Sequence, residues 1–207
     1  AKGYLDSAKK AIAIGKKLGE KVILFCVSTG ATAGLFLASE NPDIEALILS
    51  SPNIDVYDTN SNLVTKPWGK QLLKLIMKGN YQTWIPPSGA EQYWYAKYRV
   101  EAIIELKLLI QATMKKEVFE KIKQPLFMAY YYKNEEEQDK TVSVKRMKEM
   151  FAQISTIDKN KYKIAIPEAK IHSIASHFFT EEYKTVEKEI FGFVDSVLKL
   201  PRNSKND

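Results

Sequence analysis

Six consecutive apolar residues, Val22-Ile23-Leu24-Phe25-Cys26-Val27, run straight into Ser28-Thr29-Gly30-Ala31. Nothing polar alternates within the run, so a strand here is expected to bury both faces, as strands do in a parallel sheet sandwiched between helices. Upstream, Asp6 or Ser7 can cap a helix reaching about Leu18, with Ala8, Ala11, Ile12 and Ile14 as its apolar stripe and Gly19 as its stop. Downstream, Gly30 to Ser39 reads as a helix and Ala46 to Ser50 as the next strand, closed by Ser51-Pro52-Asn53. This is β-α-β order, and it predicts an α/β chain with a mostly parallel sheet flanked by helices.

From 55 to 124 the pattern changes. Gly69 to Met77 and Gln92 to Lys116 look helical, joined by the turn-rich Asn80 to Gly89, with no strand between them. A stretch of that length exceeds an ordinary connection and reads as a helical insertion within a single domain, 1–207. The sheet resumes at Pro125 to Tyr132, a helix covers Val142 to Ile154, Tyr162 to Ile166 adds a strand, and Glu181 to Leu198 closes the domain before a polar tail from Pro201.

Composition removes several classes of function. One cysteine, Cys26, cannot form an internal disulfide or a structural zinc cluster. No apolar run approaches the roughly 20 residues of a membrane span, so a soluble chain is expected, with the cytoplasm the favoured compartment. The net charge of +6 rests on lysine, since only Arg99, Arg146 and Arg202 are arginines. Base readout leans on the planar arginine fork, so nucleic acid is not an expected partner. Lys66, Lys70, Lys74 and Lys78 mark a basic amphipathic helix, read as a surface helix in preference to a membrane-docking one.

Three positions could carry chemistry. Ser28 stands where a strand turns sharply into a helix, the setting of a nucleophile elbow, although Cys26-Val27-Ser28-Thr29-Gly30 has cysteine where the motif has its first glycine. Gly30 and Gly34 are expected to let helix and strand approach closely, and the Thr29 N–H to face a developing oxyanion. Asp139 follows strand 125–132, where a carboxylate can hold an imidazole in one tautomer or simply cap a helix; Glu135, Glu136 and Glu137 read as a solvated turn. His172 follows the last strand, while His177 sits among Phe178 and Phe179 and reads as packing. The order Ser28, Asp139, His172 puts each after a separate strand, along the carboxyl edge where open α/β sheets build their sites. Trp68, Trp84, Tyr93, Trp94 and Tyr95 crowd the insertion and could line a pocket.

Val22 through Gly30, Ala46 through Pro52, Gln138 through Val144 and Pro167 through Ser176 resemble the α/β-hydrolase superfamily, particularly small bacterial serine hydrolases of the esterase and monoacylglycerol-lipase-like kind. The resemblance covers nearly the whole chain. It implies that Ser28 is the nucleophile, His172 the general base and then acid, Asp139 the orienting carboxylate, Thr29 one oxyanion donor, and 55–124 a lid. It implies a small-molecule acyl ester as substrate and no cofactor or metal, with thioesterase or peptidase chemistry, or an inactive binding scaffold of the same fold, as alternatives. The four strands match the last four of the family's sheet, its C-terminal half, so the loop carrying the second oxyanion donor is not in this sequence. Strand 22–27 would then be an apolar edge without charge, proline or bulge to protect it. The expectation is that at least ~80 residues precede Ala1, at about 25 to 30 per βα unit, or that the edge self-associates.

Overall fold

The computed structural model describes residues 1–200, and the tail read from Pro201 lies outside them. Helix α1 (Lys2–Leu18) leads through Gly19 into β1 (Ile23–Val27), α2 (Thr29–Glu40) and β2 (Ala46–Ser50). A 3-10 turn (Thr59–Thr65), α3 (Gly69–Ile76), β3 (Tyr81–Thr83), β4 (Lys97–Arg99), α4 (Val100–Thr113) and α5 (Lys116–Phe119) follow. Then come β5 (Leu126–Tyr130), α6 (Val144–Gln153), β6 (Lys161–Ala165) and α7 (Tyr183–Phe193), which runs on into a π-helical turn, Val194–Leu198.

Four strands form one parallel sheet in the order β1-β2-β5-β6. Its register aligns Leu24, Leu47 and Leu126 in one row and Ile48 with Phe127 in the next, so alternate rows point to opposite faces. Leu47, Leu49, Leu126 and Met128 pack with Ile12 of α1, Leu35 of α2 and Met147 and Met150 of α6. Ala46, Ile48, Phe127 and Ala129 pack with Val186 and Phe193 of α7. With helices on both faces, all five residues of β2 and of β5 are buried, which is why these strands read as unbroken apolar runs.

β1 departs from the expected double burial. It is an edge strand, and Phe25 and Val27 remain 55% and 40% exposed. Both share a face with Ile23, which packs on the α7-side core, and Phe25 borders an open cleft beside Val186, Ile190 and Phe191 of α7. Leu24 and Cys26, on the other face, pack against the larger core. The first helix begins at Lys2 instead of at a cap on Asp6 or Ser7, and Ala1 at its start makes no side-chain cap bond.

Residues 55–124 lie outside the sheet, but they are not wholly helical. β3 pairs antiparallel with β4, and the ribbon extends beyond the ladder: Trp84 donates its backbone N–H to Ala96 O and its indole N–H to Tyr95 O. Helix α4 therefore starts at Val100, not near Gln92. Residues 91–93 form a turn, with Tyr93 N–H donating to Ala90 O at 2.9 Å, in place of the start of a helix. On α3, Leu73 is buried against Val64 and Val100, while Lys70 pairs with Glu101 at 2.9 Å. No helix of the described residues is long and apolar enough to cross a membrane.

Candidate active site

Ser28 sits between β1 and α2 with φ 50° and ψ −119°. A positive φ is costly for a residue with a side chain, by about 1–3 kcal/mol, and persists only where surrounding bonds enforce it. Here Ser28 N–H donates to Ser50 O, while Ser28 O accepts from Ala31 N–H and Asn53 N–H, each at 3.0 Å. Although it occupies the N-cap position of α2, its side chain makes no capping bond. The hydroxyl instead lies 2.8 Å from His172 Nε2.

His172 stands in the loop after β6, its side chain 16% exposed, and its Nδ1 lies 2.6 Å from Asp139 Oδ2. The Asp139 side chain has no exposure at all. Its Oδ1 accepts two backbone bonds, from Thr141 N–H at 2.8 Å and Val142 N–H at 3.2 Å. A carboxylate only accepts, so the bond at Oδ2 requires the proton on Nδ1 and leaves Nε2 free to accept from Ser28 O–H. The cap of α6 is not Asp139 but Ser143, whose hydroxyl accepts from Arg146 N–H. Thr29 opens α2, and an N–H at the first helical position lacks an intrahelical acceptor, which leaves it available to an anion.

Ser28 and His172 open on a cleft of about 910 Å³, with Asp139 buried behind the histidine. Its walls are Trp84, Trp94, Tyr95 and Tyr98 from the segment outside the sheet, Phe179 and Ile171 from around His172, and Tyr4 and Val27. Among the described residues, no lysine, arginine, aspartate or glutamate lines it.

The family model described as serine aminopeptidase, S33, matches residues 4–182. The chain belongs to this family of α/β-hydrolases. Solved structures share the fold at low identity. The Paleococcus ferrophilus monoacylglycerol lipase is 18% identical with a TM-score of 0.66, the match covering 93% of this chain and 76% of that one. A metagenome-derived lipolytic enzyme gives 12% and 0.69, covering 92% and 71%. A soluble variant of the Saccharomyces cerevisiae monoglyceride lipase gives 13% and 0.63, covering 94% and 68%. No curated protein matches the sequence.

Within this S33-family chain, the glycines near the elbow behave differently from one another. A Cβ on Gly34 would lie 2.5 Å from Cys26 Sγ, whereas one on Gly30 would meet nothing within 4 Å. Gly34 is thus the residue that lets α2 close on β1, and the expectation for Gly30 fails because its α-carbon faces open space. The thiol fills the gap under α2, and burial pushes it up to about 12, which keeps it protonated and inert. Gly34→Ala is expected to cost about 1–3 kcal/mol through overpacking. In a Cys26→Ala background the same change should cost much less, a difference that urea denaturation of the four proteins would read.

The remaining candidates separate cleanly. Glu135, Glu136 and Glu137 are exposed, and His177 is exposed with its ring 4.0 Å from that of Phe178. Trp68 is 51% exposed and outside the cleft, and Tyr93 lies outside it too, its ring tilted against Phe178 at 5.5 Å between centroids. Tyr4, Tyr98 and Phe179 line the cleft without having been singled out from the sequence. Phe179 stood beside His177 in a visible aromatic patch, but nothing local marked the other two.

Proposed function

We propose that this chain is a serine hydrolase that cleaves uncharged, apolar carboxylic esters. The observation that carries the reading is the hydrogen-bonded series Ser28 Oγ, His172, Asp139, in which each group has the partner its role requires. Ser28 Oγ attacks the ester carbonyl as His172 Nε2 takes its proton. The carbonyl oxygen becomes an oxyanion beside the Thr29 N–H. Collapse expels the alcohol, which takes the proton from Nε2, and leaves an acyl group on Ser28. Water then attacks the acyl carbon, giving its proton to His172, and Ser28 recovers that proton as the acid departs. Asp139 keeps the imidazole in one tautomer and offsets its positive charge throughout. In this reading residues 55–124 act as a lid, because Trp84, Trp94, Tyr95 and Tyr98 supply one wall of the cleft.

Esters are favoured over peptides with a free amino terminus by the uncharged lining. An α-ammonium group needs a carboxylate to replace its water, and both oxygens of the one buried nearby, Asp139, are engaged. A binding-only role would leave the buried Asp139 carboxylate and the strained serine without a purpose.

The test is labelling of the chain with an uncharged fluorophosphonate, with intact mass and peptide mapping, alongside turnover of p-nitrophenyl acetate and of an aminoacyl p-nitroanilide. The expected result is one label on Ser28, none in Ser28→Ala, and ester turnover without anilide turnover. Label elsewhere, or anilide hydrolysis outpacing ester hydrolysis, would overturn the assignment.

A further inference from the structure

The turn that ends β2 holds the backbone of Ser28 from two sides, through Ser50 O and Asn53 N–H. Between those two residues stands Ser51, which has no exposed surface and a φ of 44°. Its N–H donates to Ala129 O at 2.8 Å, which ties it to β5. Its hydroxyl donates to the backbone oxygen of His172 at 2.7 Å, across 121 residues of sequence. One short turn therefore touches the main chain of both the nucleophile and the base.

The choice of serine at this position needs a reason. Glycine is the residue that adopts a positive φ without penalty, and a fully buried turn gains nothing from a hydroxyl lacking a partner. The bond to His172 supplies the reason. The loop carrying His172 is also anchored by Ala169 and Ile174, which are buried in the α7-side core, and by Ile174 N–H donating to His172 O. Apolar packing holds that loop against the sheet but is non-directional, and the Ile174 bond is internal to the loop. The Ser51 hydroxyl is the directional tie between the histidine main chain and the sheet end that also grips Ser28.

We propose that Ser51 is a positioning residue, whose hydroxyl sets the height of the His172 main chain so that Nε2 stays within hydrogen-bond reach of Ser28 Oγ. This rests on the serine hydrolase reading. Ser51 itself touches neither substrate nor the reacting atoms.

Two variants separate this role from a merely structural one. Ser51→Gly removes the hydroxyl and relieves the strained φ; Ser51→Ala removes the hydroxyl and keeps the strain. Both should lose kcat for p-nitrophenyl acetate by about 10- to 100-fold, the scale of a small misplacement of a reacting group. KM should stay within about 2-fold, since no substrate contact is lost. The melting midpoint of Ser51→Gly should be no lower than that of Ser51→Ala, so activity and stability part company. The proton on His172 Nδ1 gives a second readout, as a low-field proton NMR resonance in the wild type that broadens by exchange in both variants. A Ser51→Gly protein with wild-type kcat and an unchanged resonance would overturn the proposal. So would a kcat loss in Ser51→Ala that Ser51→Gly restores, because that would trace the effect to backbone strain. If the wild type neither labels nor turns over ester, the hydrolase reading fails on its own, and the resonance alone decides whether Ser51 positions His172.

Discussion

Asp139→Asn is expected to lower kcat for p-nitrophenyl acetate by about 10⁴-fold, roughly 5.5 kcal/mol of transition-state stabilisation. The size follows from which end of the new amide faces the histidine. Thr141 N–H and Val142 N–H both point at the Oδ1 position, and they demand an acceptor there. The amide oxygen must therefore stay with them, and the NH₂ group turns toward His172 Nδ1. A donor facing Nδ1 forces that nitrogen to accept, which moves the ring proton to Nε2. Ser28 then meets an N–H where it needs a lone pair, and the hydroxyl cannot be deprotonated. Nitrogen-15 NMR of the imidazole would show the Nδ1–H tautomer in the wild type and Nε2–H in the variant. Retention of more than about a tenth of the turnover, or an unchanged tautomer, would remove Asp139 from the orienting role.

The elements that place Ser28, Asp139 and His172 were legible because each depends on local pattern. β2 and β5 are covered on both faces, and their unbroken apolar runs announce it. The three side chains follow β1, β5 and β6, so strand order alone brings them to one edge, where the structure joins them by bonds of 2.6 and 2.8 Å. What stayed hidden depends on partners remote in sequence. The same apolar run that marks β1 as a strand cannot tell that β1 lies at the edge of the sheet with Phe25 and Val27 left 55% and 40% exposed. β3 and β4 are three residues each, too short for periodicity to separate from turn or helix, and the ribbon is fixed by pairing across the intervening aromatic loop. Ser51 looked like half of a strand terminator, Ser-Pro. Its positive φ and its bond to His172 exist only once β2, β5 and the last loop are assembled.

A second large effect is expected from Asp55→Ala, this time on stability. Lys107 lies on α4 with its side chain only 3% exposed, and its ammonium group sits 2.5 Å from Asp55 Oδ1. The two partners are not in equal surroundings. Asp55 is 30% exposed at its side chain and also accepts from Val56 N–H at 2.8 Å, so it keeps water and a backbone donor when the lysine is gone. Lys107 has no such reserve. Removing Asp55 strands a charge whose desolvation was offset by that one carboxylate, at a cost of about 3–5 kcal/mol. Lys107→Met should cost far less, because it deletes the buried charge and leaves a side chain of similar length in the same buried position. The decisive comparison is the double variant. If the orphaned ammonium is the source of the loss, Asp55→Ala with Lys107→Met should be more stable than Asp55→Ala alone by about 2 kcal/mol or more. Urea denaturation with a common slope would read these differences directly. Equal losses in the single and double variants would instead assign the effect to the strand-like pairing of 55–57 with 141–143, where Ser143 N–H donates to Asp55 O and Tyr57 N–H to Thr141 O. That pairing supports the same two amides that hold Asp139. Stability and turnover should therefore fall together if it is the element disturbed, and separately if the cause is the buried charge.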